Sequence, residues 1–205
     1  MQVSFKENVD LTDLRQAPYP QSQKDRIAMD SILDPMKADG ALEDVPLGKP
    51  SPVASPAFVV YRNGRPRVVV DLRRVNTKLR LDAYPLPKQD TILSALGGSV
   101  AFSSLDMTKS FFQQKVAPED RWKLAIVTAH RGHEQMTAAS MGLATTPSFF
   151  QHRIEALFSP YLWQFVLVYI DDVIIFSKSI EQHVKDLARH SPQTSREVRS
   201  DPFPT

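Results

Sequence analysis

The pattern of apolar and polar positions predicts a mixture of helices and strands. Residues 29–36 carry apolar side chains at i, i+3, i+4 and i+7, the spacing of one helix face, and Gly40 is placed to stop that helix. Pro35 is expected to break or kink it. The four prolines between Pro46 and Pro56 predict a loop that no regular element crosses.

A hairpin is predicted where two apolar runs, residues 58–61 and 68–70, flank Asn63-Gly64. Both residues of that dipeptide accept the positive φ that a tight hairpin turn requires. Further along, the pattern predicts a helix at 87–96, a strand at 100–106, and a strand at 122–128 that pairs with a segment following the turn at 130–133.

The last third of the chain has the same mixed character. Pro147 stands at a first helical position, and apolar residues at 150, 154, 157 and 158 form the stripe of a helix packed on a sheet. Ser179 and Gln182 have the spacing of a capping box before a final helix. Because the elements lack regular βαβ spacing, the predicted fold class is α+β.

Two adjacent carboxylates, Asp171-Asp172, lie between the apolar runs 165–168 and 173–176, where two strands are expected to meet. Like charges about 4 Å apart repel by about 4 kcal/mol at an effective dielectric constant near 20, so the pair favours a bound cation. Asp106, at the end of the strand at 100–106, is a third carboxylate, and an all-oxygen set suits Mg²⁺. The alternatives are an ordinary Asp-rich turn and, for Asp106, a helix N-cap.

Composition narrows the class of protein. With 205 residues and 42% hydrophobic content, the chain is expected to form one core or a core plus a lobe. The sequence contains no cysteine, which excludes disulfides, thiolate zinc sites and cysteine nucleophiles. No apolar run approaches the roughly 20 residues of a membrane helix, so we expect an intracellular protein of unknown compartment with no membrane partner. The predicted organisation is an extended lead-in at 1–22, a folded domain at 23–187 and a disordered tail at 188–205.

Positive charge is concentrated although the formal net charge is only +2. Seven arginines and lysines lie between Arg62 and Arg80, against Asp71 alone. Such a cluster is typical of a surface that binds phosphate groups. The alternative is a solvated, charged face of a strand.

Five sequence boxes stand in the order and spacing found in reverse transcriptases. They are Val70–Asn76, Tyr84–Pro87, Leu105-Asp106, Met141–Gln151 and Tyr169–Asp172. The chain most resembles the polymerases of gypsy-type LTR retrotransposons, over about residues 15–187. The resemblance implies a palm, an antiparallel sheet backed by helices, with a fingers subdomain. Because a polar tail stands where the family forms its primer grip and thumb, it also implies a truncated polymerase that lacks the thumb.

The resemblance further implies a set of site residues. Asp106, Asp171 and Asp172 would be the catalytic ligands of two magnesium ions, with Mn²⁺ as a possible substitute. The residues that would bind the nucleotide are Arg67 and Arg62 at the triphosphate, the Met107 carbonyl, Phe111 as steric gate, Met141 and Gly142. Those that would bind nucleic acid are Arg73, Arg74, Lys78, Pro147, Gln151 and Tyr169. Phe111 has a second interpretation as an ordinary core aromatic.

The function implied is RNA-directed DNA synthesis on a primed RNA or DNA template from deoxynucleoside triphosphates, with the oligomeric state open. The chain departs from the family at Met141, which replaces an aromatic residue, and at Ser140, which replaces a proline. Two alternatives stay open at this point. One is an inactive remnant that at most binds nucleic acid, and the other is an unrelated metal-dependent nuclease.

Overall fold

The structure, a computed structural model, describes residues 1–81, 84–106 and 114–189, with only the backbone of Asp106. The described residues form two compact units, the first within 1–82 and 111–146 and the second within 83–110 and 147–205. The elements are α1 (Gln23–Ala38), β1 (Leu42–Asp44), β2 (Ser55–Arg62), β3 (Arg65–Val70), α2 (Arg73–Lys78), α3 (Gln89–Ala95), β4 (Ala101–Asp106), β5 (Ala125–Thr128), β6 (Gly132–Met136), α4 (Thr146–Phe158), β7 (Val166–Tyr169), β8 (Asp172–Ser177) and α5 (180–189). Short 3₁₀ helices occupy Thr12–Leu14 and Pro118–Leu124.

The first unit is built on a five-stranded sheet in the order β1-β6-β5-β2-β3. All pairs are antiparallel except β2 with β5, which is parallel. Met29 and Leu33 of α1 are buried in the core of this unit. Val3 and Leu14, from the segment predicted as a lead-in, are fully buried in the same core.

Helix α1 confirms the predicted apolar face but not the predicted break at Pro35. Ser22 caps its first turn through a capping box with Asp25, and the helix continues through Pro35 to Ala38. The proline lies in the last turn, so its missing N–H removes a single bond near the end of the helix, and the helix continues for three more residues. Gly40, with φ of 67°, follows the end of the helix as predicted.

The hairpin of β2 and β3 confirms the Asn63-Gly64 prediction, since those residues have φ of 50° and 73°. The predicted loop is too long by two residues, because β2 already begins at Ser55. Pro56 is tolerated there because it stands near the start of the strand, and its carbonyl accepts the Asp71 N–H.

Strand β5 begins three residues later than predicted. The segment Pro118–Leu124 is a 3₁₀ helix with proline in its first turn, and it precedes the strand. The Asp120 side chain of that helix accepts the Val3 N–H at 2.8 Å and binds Lys123, and these contacts, the first of them between distant parts of the chain, hold the segment as a helix. The predicted pairing is confirmed by β6, although this strand already begins at Gly132, within the segment 130–133 that was predicted as the turn.

The second unit contains a three-stranded antiparallel sheet in the order β4-β8-β7. One face presents Leu167 and Phe176, which pack with Ile92 of α3. On the opposite face, the α5 residue His183 bonds to two serines of the sheet, one in β4 and one at the end of β8. Helices therefore back both faces.

Helices α4 and α5 confirm their sequence signals. Phe150, Ile154 and Phe158 are buried along α4, which begins one residue before Pro147. Ser179 caps α5 by accepting the Gln182 N–H, although the Gln182 side chain donates to Asp186 instead of closing a capping box. Of the predicted tail, residues 190–205 lie outside the described part of the chain. No helix in the described part is long and apolar enough to cross a membrane.

Candidate functional site

The two adjacent aspartates lie at the turn between β7 and β8. Tyr169 and Asp172 are paired across the hairpin, so Ile170 and Asp171 are the two residues of the turn. Ile170 has φ of 54°, in the left-handed region that β-branched residues rarely occupy. Asp171 is half-buried and Asp172 is exposed.

The third predicted aspartate reaches the same end of the sheet. In the register of β4 and β8, position 106 lies directly opposite position 172. Asp106, Asp171 and Asp172 thus share one sheet end, and carboxylates are the donor type that Mg²⁺ prefers. Among the described side chains, which do not include that of Asp106, no group of three His, Cys, Asp or Glu residues could hold a metal ion.

Gln151 of α4 lies beneath the aspartate turn and has no exposed surface. Its Oε1 accepts the Ile170 N–H at 2.7 Å, and its Nε2 donates to the Val168 carbonyl at 2.9 Å. The same Nε2 donates to Glu155 at 2.7 Å. The side chain that the sequence assigned to nucleic acid is therefore used to hold the turn, and its contact with nucleic acid stays a prediction.

The hairpin of the first unit carries exposed cations. Arg62 and Arg65 pair at its tip, and Arg67 lies opposite Val60. All three arginines are exposed, and none of them forms an ion pair with another described residue. The two predicted triphosphate-binding residues, Arg62 and Arg67, are thus accessible to a ligand.

The other predicted cations lie on α2 and are already paired within the first unit. Arg73 binds Asp71 through two bonds, at 2.8 Å from Nε and 2.6 Å from a terminal nitrogen. Arg74 donates to the Asp13 carbonyl at 2.8 Å, and Lys78 lies 3.1 Å from the Asp13 carboxylate. Their contacts with nucleic acid stay predictions.

Asp71 is the centre of this arrangement. It is only 8% exposed, and the Tyr19 hydroxyl donates to it at 3.0 Å. The Arg73 guanidinium, helped by bonds from the Arg73 N–H and Tyr19, holds the pKa of the Asp71 carboxyl well below its usual range. Asp71 therefore stays ionised wherever the unit is folded near neutral pH.

A cavity of about 700 Å³ opens in the first unit around this carboxylate. Among its lining residues are Tyr19, Phe58, Asp71, Asn76 and Gly142. The sequence interpretation gave no role to the first four. The available signal was Asp71 itself, because a single carboxylate within a run of cations indicates a residue held by a specific partner.

Asn76 fixes the loop that carries the predicted nucleotide contacts Met141 and Gly142. Its Nδ2 donates to the Gly142 carbonyl at 2.8 Å, and its Oδ1 accepts the Ala144 N–H at 2.9 Å. Gly142 has φ of 90°, a conformation that favours glycine, and Met141 is exposed.

Of the four remaining predicted site residues, two lie in the described part of the chain and two do not. Pro147 is the second residue of α4, and Tyr169 is half-buried against the core of the second unit. Met107 and Phe111 lie outside the described residues.

Comparison with known proteins assigns the family. The family model described as reverse transcriptase (RNA-dependent DNA polymerase) matches residues 49–197, well over half of the chain. The chain belongs to the reverse transcriptase family. The predictions of this family and of an α+β fold with a sheet backed by helices are confirmed. The assignment to the gypsy-type group stays a prediction.

Two relatives illustrate the range of similar proteins. The retrovirus-related Pol polyprotein from transposon 297 of Drosophila melanogaster is 32% identical over 82% of this chain, which spans 16% of that protein. The enzymatic polyprotein of cauliflower mosaic virus, strain Strasbourg, is 34% identical over 72% of this chain, which spans 22% of it. The chain therefore corresponds to a small part of these polyproteins.

Solved structures agree on the fold. A foamy viral protease-reverse transcriptase, solved in complex with double-stranded DNA, superposes with a TM-score of 0.75 over 90% of this chain and 31% of its own, at 20% identity. The native prototype foamy virus protease-reverse transcriptase gives a TM-score of 0.78 over 88% of this chain and 24% of its own, at 24% identity. At these identities the likeness supports the fold of a reverse transcriptase.

Proposed function

We propose that this chain carries out RNA-directed DNA synthesis, the transfer of a nucleotidyl group from a deoxynucleoside triphosphate to a primer 3′-hydroxyl. The observation that carries the proposal is the register that sets Asp106 opposite Asp172, with Asp171 in the adjoining turn. Directly opposite residues of antiparallel strands have Cα atoms about 4.5–5.5 Å apart, a spacing that one ion can bridge.

The donor set suits two divalent ions, Mg²⁺ or Mn²⁺ in its place. Asp106, Asp171 and Asp172 would hold them through oxygen atoms alone, which is the ligand type of Mg²⁺ and Mn²⁺. When bound, such ions supply the charge that stabilises the attacking and leaving oxygens of an in-line displacement. The role of the three side chains is to fix that charge at the end of the sheet.

The exposed arginines of the hairpin would bind the triphosphate. Arg67 and Arg62 have no carboxylate partner among the described residues, so their charge is available to phosphate oxygens. The proposed macromolecular partner is a primed RNA or DNA template. A structural relative bound to double-stranded DNA supports a nucleic acid partner.

Primer extension by the full chain tests the proposal. We expect Mg²⁺-dependent incorporation that Asp171→Asn lowers by at least about a hundredfold, because a direct metal ligand should matter at least as much as an outer-shell partner. Asp90→Asn, an exposed aspartate of α3 in the same unit, is the control and should leave incorporation unchanged.

Three results would contradict the proposal. Incorporation that survives Asp171→Asn would remove the aspartates from the chemistry. Hydrolysis of nucleic acid without incorporation would favour a nuclease. Salt-sensitive binding of a primed template with no incorporation would favour an inactive remnant, because affinity that rests on phosphate contacts falls steeply with salt.

A further inference from the structure

We infer that Gln151 is a positioning residue that holds the Ile170-Asp171 turn in its strained conformation and thereby fixes the two aspartates that bind the metal. The inference rests on the proposed function, since it concerns the same metal ligands. It assigns Gln151 a role through the protein backbone, distinct from the contact with nucleic acid that the sequence suggested.

The hydrogen bonds of Gln151 define its orientation. Its Oε1 faces the Ile170 N–H and its Nε2 faces the Val168 carbonyl, at 2.7 and 2.9 Å. Exchanging the amide oxygen and nitrogen would place two donors together at Ile170 and two acceptors together at Val168. The amide therefore forms hydrogen bonds with the backbone on both sides of Tyr169, and only one orientation of the amide allows both bonds.

The turn needs such support because of Ile170. A β-branched residue at φ of 54° is an outlier, and the left-handed region disfavours any residue with a Cβ. Backbone strain of this kind persists only where the surrounding structure over-determines it. The bond from the Ile170 N–H to a fully buried amide is a contact of that type, and Asp171 is the next residue along the chain.

A second layer holds Gln151 itself. Its Nε2 also donates to Glu155, one helical turn further along α4, and the Tyr84 hydroxyl donates to the same carboxylate. That bond is the main reason why the pKa of Tyr84 is raised to about 12, so the hydroxyl keeps its proton at neutral pH. The Tyr84 ring stacks on His152 with centroids 4.5 Å apart and an interplanar angle of 11°.

The competing interpretation is that Gln151 only satisfies buried backbone groups and contributes stability. The two interpretations differ in what happens to the folded protein. If Gln151 positions the turn, its loss changes the metal affinity of molecules that are still folded. If it is merely structural, the melting temperature falls but the folded molecules bind metal as before.

The experiment compares Gln151→Met, similar in length but without amide bonds, with Gln135→Met. Gln135 is also buried and donates to Glu43, and it belongs to the first unit, so it is the matched control. The readouts are amide hydrogen exchange at Ile170, the Mn²⁺ half-saturation concentration by electron paramagnetic resonance, and kcat and KM for the nucleotide.

For Gln151→Met we expect exchange at Ile170 at least about tenfold faster, because its N–H loses a buried acceptor. The Mn²⁺ half-saturation concentration should rise about tenfold, and kcat should fall by about 10- to 100-fold, as for loss of a group that orients a metal ligand. The nucleotide KM should change by less than about twofold. Gln135→Met should leave all four values unchanged.

Two further variants sharpen the test, and the first does not depend on the folding of Gln151→Met. Gln151→Glu retains an acceptor for the Ile170 N–H, and because its carboxyl group would contact the Glu155 carboxylate the two share a proton, which leaves one donor in place of two. Exchange at Ile170 should therefore stay slow while Mn²⁺ binding weakens less than in Gln151→Met. Adding Ile170→Gly, which relieves the positive-φ strain, should reduce the effect of Gln151→Met on Mn²⁺ binding at least about threefold.

The inference is overturned if Gln151→Met lowers the melting temperature without changing exchange at Ile170 or Mn²⁺ binding, or if Gln135→Met reproduces its effects. Its failure can be separated from that of the proposed function. A wild-type chain that binds Mn²⁺ but adds no nucleotide refutes polymerisation, while exchange and Mn²⁺ binding still judge Gln151. A wild-type chain that binds no Mn²⁺ at the aspartates overturns both.

Discussion

Replacing Asp71 by asparagine should destabilise the first unit by about 2 kcal/mol at pH 7. The carboxylate is 8% exposed and accepts bonds from Arg73 and Tyr19 at 2.6–3.2 Å. A hydrogen bond to a charged group contributes about 1.5–3 kcal/mol net. The Arg73 side chain is 84% exposed, so water can solvate it after the change. The expected loss of stability is therefore smaller than the sum over the individual hydrogen bonds.

The pH dependence follows from the depressed pKa of Asp71 in the folded state. A carboxyl of this kind contributes stability above its unfolded pKa of about 3.9, and loses it as pH falls toward the folded value. At pH 3 the unfolded carboxyl is mostly protonated, so the wild type loses about 1.3 kcal/mol of this contribution. Asp71→Asn cannot titrate there. The gap between the two proteins should therefore narrow by about that amount between pH 7 and pH 3.

Urea denaturation can follow the first unit alone, because the chain has two tryptophans and Trp122 is the one that lies in that unit. Trp122 packs edge-on against Phe5, so its fluorescence reports on local packing, and Trp163→Phe removes the other signal. Asp44→Asn is the control, since that residue is 74% exposed and its ion pair with Lys37 should contribute less than about 1 kcal/mol. A gap below about 0.5 kcal/mol at pH 7, or one that stays constant to pH 3, would refute the reasoning.

Two more predictions concern the first unit. Asn76→Ala should raise the nucleotide KM several-fold in primer extension with little change in stability, because the loop at Gly142 loses both of its hydrogen bonds to Asn76. Asn76→Asp keeps one of the two bonds, so its KM should lie between those of Asn76→Ala and the wild type. An unchanged KM would exclude the loop from nucleotide binding. Arg131→Met should lower the free energy of unfolding by about 3 kcal/mol, because it deprives Glu134, which is 2% exposed, of its main partner. Urea titration measures this, and a loss below about 1 kcal/mol would contradict it.

Local patterns predicted the elements whose signals lie within a few residues. The Asn63-Gly64 hairpin, the strands around Asp171 and the stripe of α4 all depend on periodicity or turn chemistry, and the structure has them. The two adjacent aspartates were placed correctly at a turn because apolar runs flank them on both sides. The opposition of Asp106 to Asp172 is different, since it depends on a pairing between distant segments that no local pattern encodes.

The missed elements lack strong local signals. Strand β1 has three residues and exists through its pairing with β6. Helix α2 has six residues, and its N-cap, Leu72, makes no side-chain capping bond. Its arginines were interpreted as part of a phosphate-binding surface, with a charged strand face as the alternative, and no helix was predicted because a run so rich in cations has no apolar period to distinguish one.

Gln151 shows what a closer pattern analysis could have found. It stands on the same face of α4 as Ile154 and Phe158, both buried, at i+3 and i+7. A polar residue on an apolar face has to be hydrogen-bonded once it is buried. That requirement predicts a buried partner, but only the structure identifies it as the backbone of the aspartate turn.

Partners within the protein also limit what a count of charged residues can say about nucleic acid binding. On α2, Arg73 and Lys78 form ion pairs with Asp71 and Asp13, and Arg74 donates to the Asp13 carbonyl. The arginines at the hairpin are exposed and form no ion pair with another described residue. Loss of nucleic acid affinity on replacing Arg73 would report damage to the Asp71 corner as well as any lost phosphate contact. Loss on replacing Arg67 has no such internal partner to explain it. Arginine substitutions at the hairpin are thus the informative ones for phosphate recognition, and those on α2 measure the stability of the first unit.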